Sequence, residues 1–298
     1  MDSKVAGYVQ EKILDMLDHD IVPWQKPWIG EGPKNLISHK EYRGINLWLL
    51  GYSRMFNKFT TNYWLTFNQA RAKGWQVKKG SKSTMVVFWK IGKYEKTLKD
   101  GTKEEHKSFL LRYYNVFNSD QVDGAELPKV ISFDHNPVVE AEGIVENYKQ
   151  NGGPNITVVE GNDRACYSPT LDVINVPAMK QFKTVEEYYS IMFHECVHST
   201  AHKSRLNRFK ETDKEFGFGD SYSFEELVAE SGACMLDCHV GIDTDKVFQN
   251  AAAYIKTWRD RIAEDKNLVI KAASKAQAAV DYILDAGNKD DDSEDTEE

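Results

Sequence analysis

The sequence predicts an α+β protein in two domains: a small basic α+β domain, then a mainly helical domain with a short sheet. Three observations carry that prediction. The chain has 298 residues, about two domains at the usual 100–200 residues each. Its charge is divided unequally between the halves. Strand-like apolar runs before residue 120 give way to helical periodicity beyond residue 184.

Residues 1–135 carry 21 Lys and Arg against 15 Asp and Glu, a net of +6. The remainder carries 17 against 31, a net of −14, and together these make the −8 of the whole chain. Such asymmetry suggests two domains with different partners, the basic one suited to polyanions. At 41% hydrophobic and 12% aromatic, the chain can bury real cores, which excludes wholesale disorder. No apolar run approaches the roughly 20 residues of a membrane span, and the N-terminus is too charged for a signal peptide. Four cysteines, Cys166, Cys196, Cys234 and Cys238, are no disulfide framework. A cytoplasmic protein is expected.

Val5, Val9, Ile13 and Leu17 recur every four residues and predict a helix over about 4–17. The segment Pro23-Trp24-Gln25-Lys26-Pro27-Trp28 stops it, since proline lacks the N–H and disfavours a helical predecessor. Thr66 can cap a short helix, with Gln69 reaching back, that ends at Gly74. Strands are expected at 84–91 and 108–117, joined by a long polar hairpin loop over 92–107. The Gly, Pro and mixed polarity of 124–137 mark a boundary, giving domains at 1–125 and 138–286 with a linker at 126–137. The second domain should hold a helix near 138–150, a Gly-Gly-Pro break at 152–154, and short strands around 156–159 and 172–176. Thr184 and Glu187 form a capping box that opens a helix through His198. Further helices are expected at about 223–238, 245–264 and 267–285. Residues 288–298 hold seven acids and no apolar residue, so the tail from 287 should be disordered.

The chemistry lies in Phe193-His194-Glu195-Cys196-Val197-His198, an H-E-x-x-H on a predicted helix. Spacing i, i+4 puts His194 and His198 on one face, where two imidazoles can grip one metal ion. Glu195 then points beside the metal, where it can take a proton from water as the catalytic base. The bland alternative is two solvated histidines on a surface helix. Its capped start and the apolar Tyr188, Ile191 and Met192 speak for the site. A catalytic zinc site has three protein ligands and an open position, and Phe224-Glu225-Glu226-Leu227-Val228-Ala229-Glu230 offers the third. This stretch resembles the second helix of gluzincin-type metallopeptidases. By that register Glu226 is the ligand and Glu230 hydrogen-bonds a ligating histidine, with Glu225 as the alternative ligand. One divalent ion is expected, zinc first, with manganese, nickel or cobalt as substitutes.

His202 continues the series 194, 198, 202, and should end the helix or line the cleft. Ser204 stands where the metzincin pattern needs its third histidine, so that class is out. Cys234, Cys238 and His239 could hold a second zinc, but buried cysteine is the commoner reading.

In the basic half, residues 71–99 carry nine Lys and Arg, interleaved with Trp75, Phe88, Trp89 and Tyr94. Cations along a backbone with aromatic faces for unstacked bases are what single-stranded nucleic acid needs. Trp24, Trp28, Trp48, Tyr63 and Trp64 add rings. The expected contacts are Arg43, Lys73, Trp75, Lys78, Lys79, Lys82, Trp89, Lys90 and Lys93. The opposing reading is a soluble lysine-rich edge over buried tryptophans.

Several motifs then share an order. Pro23-Trp24-x-Lys26-Pro27-Trp28, Tyr42-Arg43-Gly44-Ile45-Asn46, Trp64-Leu65-Thr66-Phe67-Asn68-Gln69, Lys79-Gly80-x-Lys82 and Val116-Phe117-Asn118 resemble the N-terminal domain of the ArdC antirestriction family. The second half is similar to the rest of that family in Tyr167-Ser168-Pro169-x-x-Asp172-x-Ile174-x-Val176-Pro177, His194-Glu195-x-x-His198-Ser199, Arg205-Leu206-Asn207-Arg208 and Glu225-Glu226-Leu227-Val228-Ala229-Glu230. The resemblance covers the chain to about 286. It implies a single-stranded-DNA-binding domain and a zincin-like metallopeptidase domain, on plasmids, phages or other mobile elements, protecting incoming DNA from host restriction. Ala201 departs from an expected glycine after His198-Ser199-Thr200, which bears only on how sharply that helix ends.

Two functions follow. One is a zinc peptidase carried to its target by a DNA-binding module, cutting a restriction-system or other host protein, with strand 172–176 as template for an extended peptide. The other is a non-enzymatic DNA shield whose metal is structural or regulatory. Structural zinc sites are normally closed by four protein ligands, and Glu195 would have no structural duty there, which favours the enzyme.

Overall fold

The fold is taken from a computed structural model that describes residues 3–24, 32–97, 103–128, 136–161, 164–242 and 252–284. At 89–97, 103–110, 137, 210–223 and 252–255 only the backbone is described. The expected acidic tail and Trp28 lie outside these residues.

Helix α1 (Ser3–Asp18) buries Val5, Val9, Ile13 and Leu17, the series that predicted it. After strand β1 (Lys34–Asn35) comes α2 (Ile45–Asn57), which the sequence reading missed. It buries Ile45 and everything from Trp48 to Tyr52, while Asn46, Ser53 and Asn57 share one polar face. Gly44 enters it at φ 58°, ψ −134°, a conformation that glycine takes without penalty.

Strand β2 (Tyr63–Thr66) leads into α3 (Phe67–Ala72) through the expected capping box: Thr66 Oγ1 accepts from Gln69 N, and Gln69 Oε1 from Thr66 N. Strand β3 (Gln76–Val77) precedes a long ribbon of β4 (Thr84–Thr97) and β5 (Lys103–Asn118), and β6 (Val122–Asp123) follows. The main sheet has the order β1-β2-β5-β4, with only β1 and β2 parallel; β3 pairs β6 separately. Most of 92–107 is therefore strand and not loop, for Gly92 faces Ser108 and Thr97 faces Lys103. Its polarity hid it, since a ribbon closes its ladder with backbone groups whatever the side chains. The Asp100-Gly101 pair was the available hairpin signal. The Asn46 amide donates to Val87 O at 2.7 Å and accepts from Val87 N at 2.8 Å, standing where a neighbouring strand would bond β4.

The second half runs α4 (Pro137–Gln150), β7 (Asn155–Val159), β8 (Cys166–Ser168), β9 (Val173–Pro177), α5 (Val185–Ser199), α6 (Arg208–Val240), α7 (Ala252–Glu264) and α8 (Leu268–Ile283). Its sheet has the order β7-β9-β8, β7 parallel and β8 antiparallel to the central β9. Helix α6 begins some fifteen residues before the expected 223. Helix α7 packs with α1, not with the rest of 138–286: Gln10 Nε2 donates to Ile262 O and Ala263 O. The described residues thus divide into one unit of 3–23, 32–128 and 252–270, and another of 24, 136–242 and 271–284.

Candidate metal centre

Helix α5 is built to present one face. Thr184 Oγ1 caps it by accepting from Glu187 N at 3.1 Å, and Glu187 Oε2 accepts from Lys183 N, one residue before the expected partner. Tyr188, Tyr189, Met192, Phe193, Cys196 and Val197 are buried, which leaves His194 and His198 half-buried on the remaining side. Helix α6 comes close because Gly232 has no side chain; a Cβ there would lie 2.7 Å from Val197 Cγ2.

That approach brings three donors together. His194 Nε2 and His198 Nε2 are 3.1 Å apart, and Glu226 lies 3.5 Å from the first and 3.3 Å from the second. Donors at 2.0–2.1 Å around one tetrahedral ion stand about 3.3 Å from each other, so the set fits a single metal ion. Among the described residues no other group of His, Cys, Asp or Glu does so. Electrostatics agree. Burial alone would push His198 down, but hydrogen bonds with Glu225 and Glu226 outweigh it and raise it to about 10. Burial would raise Glu226, but His194 and His198 hold it far below the usual carboxylate range.

His198 Nδ1 faces Glu225 Oε1 at 3.8 Å, so Glu225, weighed from the sequence only as an alternative ligand, is a carboxylate behind that histidine. Glu230 is half-buried one turn further along. Glu225 is itself gripped by the buried Arg208, through Nε at 3.3 Å and Nη2 at 2.5 Å. Burial raises the Glu225 carboxyl, but Arg208 and then His198 outweigh that and keep it low. Arg208 also donates to Val197 O and Thr200 Oγ1, fixing the end of α5.

Glu195 is buried, and its Oε2 accepts from Tyr167 N on β8 at 2.6 Å. His202 lies past the end of α5, its Nδ1 2.7 Å from Ser204 Oγ. Cys234 is buried and Cys238 half-buried, as core cysteines. The strand expected as peptide template, β9, is paired on both sides, so its backbone is spent within the sheet; β8 is the edge strand beside Glu195.

In the basic unit Lys73, Lys78, Lys79, Lys82 and Arg43 are exposed. Lys78 Nζ donates to Asp120 O at 2.8 Å. Trp24, Trp48 and Trp64 are core residues, 1% exposed or less; large rings gain most from burial. Trp75 is half-buried against Leu36, Leu65, Ala70 and Val122, a core wall more than a platform. Trp89, Lys90 and Lys93 lie on β4 where only the backbone is described. The exposed rings described in this unit are others: Phe56 at 65%, Phe67 at 55%, Phe88 at 40% and Tyr113 at 39%. Phe88 rests against Tyr114 with centroids 5.5 Å apart, and stands opposite the exposed Arg112.

Comparison with known proteins returns two family models. Residues 3–117 match the N-terminal domain of anti-restriction factor ArdC, and residues 145–275 match a zincin-like metallopeptidase. The solved metal-free structure of antirestriction protein ArdC from plasmid R388 is 34% identical, covers 96% of this chain and 97% of its own, and superposes with a TM-score of 0.73. Its Mn(II)-bound form is 33% identical, covers 97% and 99%, and gives 0.74. An Escherichia coli DNA primase TraC is 34% identical over 297 residues, 93% of this chain; the chain spans only 19% of that primase.

Proposed function

Because the chain belongs to the ArdC antirestriction family, we propose that it protects incoming DNA of a mobile element, binding single-stranded DNA through its basic unit and carrying a zinc-dependent peptidase site in its second. The observation that carries the peptidase reading is the meeting of His194, His198 and Glu226 within 4.8 Å, with Glu195 buried next to them. His194, His198 and Glu226 would hold one divalent ion, zinc by its donor set, and manganese is what the R388 relative binds. When bound, such an ion polarises a carbonyl oxygen and acidifies water.

The remaining work falls to the chain's own residues. Glu195 takes the proton of the attacking water; its Oε2 is held by Tyr167 N, which leaves Oε1 for the water. Glu225 and Arg208 hold His198 with its Nε2 towards Glu226. The buried flank of α5 and α6 keeps this pair of helices from spreading. The surface of the basic unit supplies cations for phosphates and Phe88 for a base.

The test is metal analysis of the purified protein, followed by casein hydrolysis and single-stranded DNA binding by wild type and Glu195→Gln. The peptidase reading requires metal in both proteins, DNA binding in both, and hydrolysis by wild type alone. Metal and DNA binding without hydrolysis in either would leave a DNA shield.

A further inference from the structure

We propose that Arg205, Asp172 and Tyr167 form a positioning device that fixes the edge strand β8 so that its Tyr167 N–H holds Glu195; this rests on reading Glu195 as the base. Two sequence motifs meet here. Tyr167 and Asp172 come from the segment 167–177, and Arg205 from the segment 205–208.

The Arg205 side chain is only 2% exposed, and its three nitrogens reach four residues. Nε donates to Ser199 O at 2.8 Å, in the last turn of α5. Nη1 donates to Asp172 Oδ2 at 3.1 Å and Gly152 O at 3.2 Å. Nη2 donates to Tyr167 OH at 3.1 Å and to Asp172 Oδ1. The Tyr167 hydroxyl in turn donates to Asp172 Oδ1 at 2.7 Å. Hydrogen bonds from Arg205 lead the causes that keep Asp172 below the usual carboxylate range, so the ion pair stays charged.

The need for such a device follows from the strand. β8 has three residues and one neighbour in its sheet, and short edge strands have little backbone pairing to fix them. Tyr167 stands opposite Ile174 on β9, yet its N–H goes to Glu195 Oε2, away from the ladder. The ladder itself does not bond that N–H, so beyond the flanking pairs of a three-residue strand the tyrosine's side chain is what holds it in place. Arg205 grips that side chain and the α5 carbonyl together, so the helix bearing the base and the strand bearing its hydrogen-bond donor share one guanidinium. A bidentate, planar fork is the group that can serve both at once.

The test reads the Tyr167 amide in the ¹⁵N-labelled full chain, with and without Zn(II). In wild type its proton should resonate downfield, as for an N–H on a carboxylate, and exchange slowly although it lies on a sheet edge. Glu195→Gln should move it upfield. Asp172→Asn and Tyr167→Phe should each speed its exchange about 5-fold, the loss of a hydrogen bond, while the Phe193 and Val197 amides keep their protection and the metal content stays one. Tyr167→Phe keeps the ring and carries the test if Asp172→Asn fails to fold. An amide indifferent to both variants, or to Glu195→Gln, overturns the proposal. The measurement needs no substrate, so a wild type that hydrolyses no casein would sink the peptidase reading while the amide still decides this one.

Discussion

Replacing Gly232 with alanine sets two known effects against each other at the α5–α6 contact. A Cβ at 232 would stand 2.7 and 2.9 Å from the two Cγ atoms of Val197, closer than real methyl groups approach. Val197 cannot swing aside, because a β-branched residue in a helix has essentially one χ1. The helices must part, at a cost of about 1–3 kcal/mol for overpacking. Against this, alanine in place of a mid-helix glycine gains about 0.5–1 kcal/mol. The net is a loss of up to about 2.5 kcal/mol, and the same displacement carries Glu226 away from His194 and His198. Thermal unfolding of the metal-free chain reads the first effect, and competition with a chelator reads the second. The control is a reversal of sign: in a Val197→Ala background the clash disappears, and Gly232→Ala should stabilise. If Gly232→Ala stabilises the wild-type chain too, the reasoning about this contact is wrong.

Metal analysis should find that His194→Ala, His198→Ala or Glu226→Gln loses stoichiometric metal while Glu195→Gln keeps it; loss from Glu195→Gln alone would reverse the roles. Glu225→Gln should weaken metal binding about 10–100-fold, the usual effect of removing a partner behind a ligating histidine, and more than Glu230→Ala does. Asp237 is buried, accepts from Ser190 Oγ at 2.8 Å, and is raised well above the usual carboxylate range chiefly by burial. It therefore keeps a proton in the fold that the unfolded chain releases above about pH 4, so its contribution is full below that value and declines as pH rises towards its folded value. Chemical denaturation across pH should show a less negative slope for Asp237→Asn, and an unchanged slope would refute the assignment. For DNA, anisotropy with oligo-dT should show Phe88→Ala losing about 1–3 kcal/mol of binding with unchanged thermal stability, and affinity falling with salt. Trp75→Ala should instead lower stability first.

What the sequence made legible is what local spacing encodes. His194 and His198 follow from the i, i+4 rule, and Glu226 from the resemblance of its helix to the second helix of gluzincin-type metallopeptidases. The α3 cap and α1 could be read because their signals lie within a turn or two. Helix α2 was missed although Asn46, Ser53 and Asn57 share one face, because the continuous apolar run from Leu47 to Leu50 obscures that period. The ribbon beyond Ile91 failed for the opposite reason, having too few apolar residues to mark either face. The tryptophans misled because an aromatic residue among lysines reads the same whether its ring faces a base or the core.

Which carboxylate stands behind His198 is a different kind of question. That Glu225 meets its far nitrogen depends on the rotation of α6 about its own axis relative to α5. No pattern within either helix contains that angle. It is set where Gly232 meets Val197 and where Arg208, from the first turn of α6, reaches both Glu225 and the α5 carbonyl of Val197. Arg208 thus fixes the rotation and supplies the charge that keeps Glu225 ionised. The same logic holds for Arg205, which ties Ser199 O to Asp172. Two arginines three residues apart each bind one carbonyl at the end of α5 and one carboxylate, and through them the helix that carries both histidines and Glu195 is held from both sides. The consequence is a graded expectation for lysine substitutions. Lysine keeps the charge but offers one point in place of a fork, so Arg208→Lys should release His198 and cost metal affinity, whereas Arg205→Lys should spare the metal and free Tyr167.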